Sequence, residues 1–132
     1  MRIIGIESKM PVTLYRLALG VRFRMLNEGR KCRLSGYVSS NRETLVAGYC
    51  GMAMDAIERT LDDLGWANWG GVGCCGDFNT CKVGWMGHCW VEWREYVLDV
   101  TADQFNHQCT NIKMRPIVFC HKSKLKNIYS EL

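Results

Sequence analysis

Three short stretches of this chain carry residue types suited to acyl transfer. The first holds a thiol, Cys50, between Gly48 and Gly51, and the other two contribute His88 and Asp99. A thiolate is a strong nucleophile, an imidazole can hold its proton and later protonate a leaving amine, and a carboxylate can orient that imidazole. The three residue types together predict nucleophilic catalysis at a carbonyl carbon.

Cys50 opens an amphipathic segment. From Cys50 to Leu64, apolar residues recur at three- and four-residue steps, which predicts a helix ending at Gly65, where a left-handed cap is needed. The thiol then lies in the first helical turn, and a helix N-terminus favours the thiolate. Taken alone, however, a cysteine on an apolar stripe is better explained as a small core residue.

His88 and Asp99 fall on two predicted strands. Residues alternate from His88 onward, with one face carrying His88, Trp90 and Glu92 and the other Cys89, Val91 and Trp93. A two-residue turn at Arg94-Glu95 makes His88 and Asp99 diagonal neighbours on one face, and a turn at Trp93-Arg94 puts them directly opposite. A three-residue turn sends Asp99 to the other face. The hypothesis therefore depends on strand register.

Together these motifs resemble the transglutaminase-like branch of the papain-like cysteine enzymes. That family has a Gly-x-Cys helix start, a His-x-Trp-x-Glu strand and an Asp-x-Thr strand, matched here by Gly48-Tyr49-Cys50, His88–Glu92 and Asp99-Val100-Thr101. The resemblance covers roughly residues 47–105. It implies an α+β fold with the nucleophile helix packed on an antiparallel sheet, Cys50 as nucleophile, His88 as general base and Asp99 as its orienter.

The implied reaction is acyl transfer through a thioester on Cys50, with a protein or peptide as substrate and no cofactor. Hydrolysis, by a peptidase or glutamine deamidase, is favoured over transfer to an amine because a small domain offers little surface for a second protein substrate. The chain departs from the family where Gly65-Trp66-Ala67 replaces the usual Gly-Ile-Pro. Beyond the Cys50 N–H no oxyanion donor is assigned, and Gln104 is considered only as a site-lining amide.

The remaining elements must position this site. A strand is expected at residues 2–6, and a helix of about four turns begins near Pro11 and ends at residues 27–30, with Gly29 as its cap. Its apolar stripe is assigned to the core; its members are Leu14, Leu17, Ala18, Val21 and Met25.

Three further segments complete the predicted chain. Residues 30–47 are predicted to be loop, and the glycine-rich residues 66–87 an irregular loop or short strand pieces. Pro116–Cys120 is predicted to form a third strand. The tail from Lys122 to Leu132 is expected to pack loosely.

The composition of the chain limits the classes of protein to which it can belong. With 132 residues, 48% hydrophobic and 23% charged, the chain is predicted to be one domain, residues 1–132. A net charge of +4, spread along the sequence, does not suggest nucleic-acid binding. No window is long and apolar enough for a membrane span, and the N-terminus lacks signal-peptide features. A cytoplasmic location with eight reduced cysteines is therefore expected.

A zinc-stabilised binding module is the alternative class, as is a peptide-binding form of the same fold without catalysis. Candidate ligands are Cys74, Cys75, Cys81, His88, Cys89, His107, Cys109, Cys120 and His121. Structural zinc sites use paired cysteines at Cys-x(2–4)-Cys spacing, and the chain has no Cys-x-x-Cys pair. No metal site is therefore predicted.

Overall fold

The chain folds into two helices packed on one face of a five-stranded sheet. The computed structural model describes residues 1–7, 9–34, 45–66, 68 and 70–132, without the side chains of residues 33 and 34. Within them the α-helices and strands are β1 (Arg2–Ile6), α1 (Val12–Leu34), α2 (Cys50–Asp63), β2 (Gly71–Thr80), β3 (Gly84–Trp93), β4 (Tyr96–Asp99) and β5 (Ile112–His121). Short 3₁₀-helices follow β4 and β5, at Ala102–Gln108 and Lys122–Lys124. The predicted α+β class is confirmed.

The sheet has the strand order β1-β5-β4-β3-β2. Strands β2 to β5 are joined by antiparallel pairs, as expected, whereas β1 pairs with β5 in parallel. The expectation of a purely antiparallel sheet is therefore wrong at this edge. Most of the chain lies between β1 and β5, so no hairpin connects them. The geometry of a local turn therefore does not dictate their relative direction.

Each face of the sheet buries its own apolar cluster. On the helix face, Val91, Leu98 and Phe119 pack against buried side chains of α1 and α2. On the opposite face, Phe78 and Trp90 pack against the first 3₁₀-helix and against the C-terminal residues; the side chains supplied by those two segments are Ala102, Phe105, Leu125, Ile128 and Tyr129. His88 and Asp99 are also buried, at 2% and 3% exposure.

Helix α2 has the predicted bounds and the predicted cap. It begins at Cys50, and Gly65 follows its end with a φ of +79°. The Gly65 N–H donates to Asp62 O at 3.0 Å and the Trp66 N–H to Leu61 O at 2.9 Å. This pair of bonds is the Schellman arrangement, which glycine favours because it adopts positive φ without strain.

Helix α1 is longer than predicted. It continues through Gly29 to Leu34, so Gly29 is not a cap, and residues 30–34 are not loop. A Cβ built on Gly29 would lie 1.9 Å from the backbone oxygen of Leu45. The glycine is therefore explained by close approach of another backbone rather than by helix termination. Residues 35–44 of the predicted loop lie outside the described residues.

The glycine-rich segment is largely regular strand. Residues 71–80 pair along their whole length with β3, so the expectation of an irregular loop is wrong there. Two of its glycines lie where other elements come close. A Cβ on Gly73 would meet Met54 of α2 at 2.7 Å, and one on Gly76 would meet Trp90 at 2.8 Å. The missing side chains let the helix and the tryptophan ring pack directly on the strand.

The C-terminal tail is a well-packed element, which overturns the expectation that it packs loosely. Leu125 and Tyr129 are fully buried. The tail also bonds to the outer edge of β2: Asn79 N–H donates to Ile128 O, and Ser130 N–H to Asp77 O, each at 2.8 Å. No helix in the described part of the chain is long and apolar enough to cross a membrane.

The two α1 glycines predict opposite responses to alanine. Gly29→Ala should lower the free energy of unfolding by about 1–3 kcal/mol, because its methyl group collides with the Leu45 carbonyl. Gly20→Ala, with no atom within 4 Å of the added Cβ, should raise it by about 0.5–1 kcal/mol through helix propensity. Urea unfolding measures both values. Equal stabilisation by the two substitutions would contradict the close approach at Gly29.

Candidate active site

The N-terminus of α2 presents Cys50 as its first residue. Gly48 turns the chain with a φ of +85°, and the Tyr49 side chain does not cap the helix. The Tyr49 hydroxyl instead lies 2.8 Å from Cys32 Sγ, which ties the start of α2 to α1. No acidic residue lies in the first turn, so no carboxylate of the helix itself offsets the positive end of the helix dipole at Cys50.

The hairpin of β3 and β4 has the register on which the sequence hypothesis depends. Trp93 pairs with Tyr96 and Val91 with Leu98, which leaves a two-residue turn at Arg94-Glu95. Continuing this register puts Trp90 beside Asp99 and leaves His88 diagonal to it, as predicted. His88 Nε2 donates to Asp99 Oδ2 at 2.6 Å. The predicted pairing of these two side chains is confirmed.

The Asp99 carboxylate accepts four hydrogen bonds. Oδ2 accepts one hydrogen bond from the His88 imidazole and a second, at 2.8 Å, from the Tyr129 hydroxyl. Oδ1 receives the Thr101 backbone N–H at 2.9 Å and the Thr101 hydroxyl at 3.3 Å. Burial raises the pKa of Asp99, but the His88 charge and these donors outweigh it and hold the pKa below its usual value. The carboxylate is therefore ionised in the folded protein.

The His88 ring is enclosed by aromatic side chains. Phe105 and Phe78 approach it edge-on, with centroid distances of 5.0 and 5.9 Å. This burial lowers the pKa of His88, whereas the charge and hydrogen bond of Asp99 raise it, and the result is a pKa of about 9. The second ring nitrogen, Nδ1, is buried and has no hydrogen-bond partner of standard geometry among the described residues.

Cys50 completes the cluster. Burial raises the pKa of its thiol, but interaction with the His88 imidazole and the Cys89 backbone N–H lowers it by more, so the pKa lies below that of an ordinary cysteine. Burial has the opposite net effect on other thiols, raising the pKa of Cys74 and Cys89 to about 12 and that of Cys120 to about 11. Among the cysteines with a clearly shifted pKa, Cys50 alone is shifted toward the thiolate.

The Cys89 N–H is available because β4 is short. Asp77 and Asn79 of β2 direct their backbone groups outward to the tail, so the alternate residues of β2 bond to β3. In β3, the backbone groups of Trp85, Gly87 and Cys89 must then point toward the side of β4. Since β4 ends at Asp99, Cys89 has no strand partner there, and its N–H meets the Cys50 sulfur instead.

Two other residues considered from the sequence have structural roles. Gln104 Nε2 donates to Thr101 O at 3.0 Å, which braces the turn after Asp99. Trp90 shares the face of His88, as predicted, but is only 3% exposed and packs edge-on against Tyr129 at 5.0 Å. It therefore lies beneath the site.

The enclosed space at the site is very small. A cavity of about 10 Å³ is bordered by α2, β3 and β4, including Cys50 and Asp99. Such a volume accommodates about one water molecule, so any larger molecule can reach Cys50 only from the solvent side. A larger cavity of about 480 Å³ lies between α1 and β5, and its lining includes none of the three predicted site residues.

The cysteines and histidines proposed as zinc ligands are dispersed. In the described part of the chain, no group of three or more His, Cys, Asp or Glu side chains is arranged to hold a metal ion. All eight cysteines are free thiols.

Tyr129 is the residue that sequence reasoning missed. It is fully buried, donates to Asp99, and is held in place by an antiparallel bridge to Phe78 of β2. Its sequence signal was weak but present: Leu125, Ile128 and Tyr129 share a helical spacing of apolar residues in an otherwise polar tail.

Comparison with known proteins gives no match: no family model, no curated protein and no solved structure is similar to this chain. The candidate site is therefore described by its own geometry. Cys50, His88 and Asp99, far apart in sequence, are brought into one cluster, and Tyr129 and Thr101 complete the surroundings of the carboxylate.

The substitution Tyr129→Phe removes the hydroxyl but keeps the packed ring, so it separates the contributions of the two to stability. Losing a buried bond to a carboxylate should cost about 1.5–3 kcal/mol of unfolding free energy near neutral pH. Because Asp99 has a depressed pKa, its contribution is present above the unfolded pKa and disappears as pH falls through the folded pKa. The variant raises that folded pKa, so acid unfolding should begin at a higher pH, as followed by circular dichroism. Tyr96→Phe, whose ring stacks on Phe119, is the matched control and should leave the acid transition in place.

Thiol reactivity should single out Cys50. Near pH 7, iodoacetamide should alkylate Cys50 faster than the other seven cysteines, because a lowered pKa gives more thiolate. In His88→Gln the imidazolium is lost, and the midpoint of the pH–rate curve should rise to about 8.5 or above. Peptide mapping after timed alkylation measures both. A midpoint unchanged by His88→Gln would contradict the Cys50–His88 interaction.

Proposed function

We propose that this protein is a cysteine hydrolase that cleaves amide bonds of proteins or peptides, as a peptidase or glutamine deamidase. The observation that carries the proposal is the position of His88, whose imidazole bonds to the ionised Asp99 through Nε2 and lowers the pKa of Cys50. Thiol-dependent acyl transfer requires a nucleophile, a base in contact with it and a carboxylate that orients the base.

In the proposed reaction, the Cys50 thiolate attacks the amide carbonyl carbon and forms a C–S bond. The negative charge that develops on the carbonyl oxygen is stabilised by the backbone N–H of Cys50 and the positive end of α2. The His88 imidazolium gives its proton to the leaving nitrogen, which departs as an amine or as ammonia. Neutral His88 then takes a proton from water, the hydroxyl group attacks the thioester, and the acid product leaves as the thiolate returns.

Asp99 keeps His88 in the ring orientation that this cycle needs. Because Nε2 donates to the carboxylate, Nδ1 is the nitrogen that faces the nucleophile. The ionised carboxylate also supports the positive charge that His88 carries while Cys50 is a thiolate. Tyr129 and Thr101 fix the carboxylate, so the imidazole has a single bonding partner at Nε2.

The fold favours the same proposal. A helix that starts at the nucleophile and packs on a sheet supplying the base and its carboxylate is the arrangement implied by the resemblance to the transglutaminase-like, papain-like enzymes. In the proposed assignment, α2, β3 and β4 of this chain correspond to that core.

A trapped acyl-enzyme tests the proposal. Incubation with a defined library of synthetic glutamine-containing peptides, followed by acid quenching, should give a mass adduct on Cys50 that hydroxylamine removes. Cys50→Ala should give no adduct and no product, and Asp99→Asn should lower turnover by about 10²–10⁴-fold.

The pH profile provides a second check. Turnover should fall on the acid side as the thiolate is protonated, and on the alkaline side as His88, with its pKa near 9, loses its proton. Turnover in Cys50→Ala equal to that of the parent would overturn the proposal.

A further inference from the structure

Beyond the N-terminus of α2, the outer half of the β2–β3 hairpin leaves one face open. On the helix face of β2, Gly73 lies under α2, and the same-face residues that follow it are Cys75 and Asp77. Their partners on β3 are Val91, Cys89 and Gly87 in turn. Val91 is covered by the core, Cys89 contacts Cys50, and the pair Asp77–Gly87 is exposed.

Gly87 leaves an empty position directly opposite a carboxylate. A Cβ built on Gly87 would meet no atom within 4 Å. The backbone of Asp77 is fixed by Ser130, whose N–H donates to Asp77 O at 2.8 Å and whose Oγ accepts from Asp77 N at 2.7 Å. Among the described residues, the Asp77 carboxylate has neither an ion pair nor a hydrogen bond. An unpaired negative charge therefore borders open space.

Trp85 borders the same space from the hairpin tip. It lies on the same face of β3 as Gly87, two residues away, and diagonal to Asp77. It is 52% exposed, which is unusual for so large an apolar ring. An exposed indole beside a carboxylate is suited to a cation, which gains both an ion pair and a cation–π contact.

The open position is also close to the nucleophile. Gly87 is two residues from Cys89, or about 7 Å along the strand, and Cys89 contacts Cys50 through its N–H and its thiol. The backbone groups of Gly87 and Trp85 point toward the side on which β4 is absent. An extended peptide whose amide reaches Cys50 could therefore pair with this edge of β3, and alternate side chains of the peptide would then lie on the same face as Gly87.

We infer that Asp77, Trp85 and Gly87, here called the hairpin platform, bind a basic side chain of the substrate next to the amide that Cys50 attacks. This inference rests on the proposed function, since it assigns the substrate class of the same site. Lysine or arginine in the peptide would lie over Gly87, with its cation between the Asp77 carboxylate and the Trp85 ring. A neutral or acidic side chain would lack both attractions.

Two affinity labels test the platform. Iodoacetyl-lysine amide and iodoacetyl-norleucine amide carry the same alkylating group and the same four side-chain carbons, and norleucine lacks only the terminal ammonium. At low salt, the lysine label should alkylate Cys50 roughly three- to ten-fold faster, the range expected for an exposed ion pair with a cation–π contact. The ratio should fall toward one in 0.5 M NaCl.

Variants locate the source of the preference. Asp77→Asn should bring the rate ratio close to one, and Trp85→Ala should lower it whereas Trp85→Phe largely keeps it. Asp63→Asn is the matched control, because Asp63 is an exposed carboxylate at the far end of α2, about 20 Å from Cys50, and should leave the ratio unchanged. The rate with uncharged iodoacetamide, which does not reach the platform, is measured in each variant as the reference for the intrinsic reactivity of Cys50.

The outcomes distinguish the platform from the proposed function. Selective labelling of Cys50 with a lysine-to-norleucine ratio near one, or a ratio that Asp77→Asn leaves intact, overturns the platform alone. Unselective alkylation of all eight cysteines overturns the proposed function and the platform with it.

Discussion

The rest of the site depends on one buried charge, the carboxylate of Asp99. Removing a carboxylate from water is costly unless hydrogen bonds and an opposite charge replace its hydration. Here the replacement comes from three parts of the chain: the imidazole of β3, the turn after β4, and the tyrosine of the C-terminal tail. Because all four bonds go to the charged form, the fold itself keeps Asp99 ionised, and that charge in turn keeps His88 protonated.

Charges on the sheet thereby change the pKa of a thiol on the helix. An imidazolium held by Asp99 lowers the pKa of a thiol at the end of α2, where the helix dipole and the Cys89 N–H act in the same direction. Neither the helix alone nor the hairpin alone would suffice to activate the thiol. Without the other element, Cys50 would be an ordinary, partly buried cysteine. The short length of β4 is part of this arrangement because it frees the Cys89 N–H for the sulfur.

The parts of the molecule that could be predicted from sequence are those with local signals. The apolar period of α2, its glycine cap and the alternation of β3 all lie within short windows, and together they led to the correct pairing of His88 with Asp99. The errors came from contacts between distant residues. Gly29 is predicted to be a helix cap and Gly73 to lie in an irregular loop, whereas each allows a separate element to approach the backbone. Tyr129 could not be placed because its partner is thirty positions earlier.

The bridge between Tyr129 and Phe78 has a consequence for how the protein matures during translation. Synthesis runs from the N-terminus, so Cys50, His88 and Asp99 are all added to the chain before Tyr129. Until the tail binds the edge of β2, the carboxylate lacks one of its four donors and the aromatic cover over His88 is incomplete. Until Tyr129 is bound, Asp99 supports the His88 imidazolium less strongly, and we therefore expect the Cys50 thiol to be less reactive.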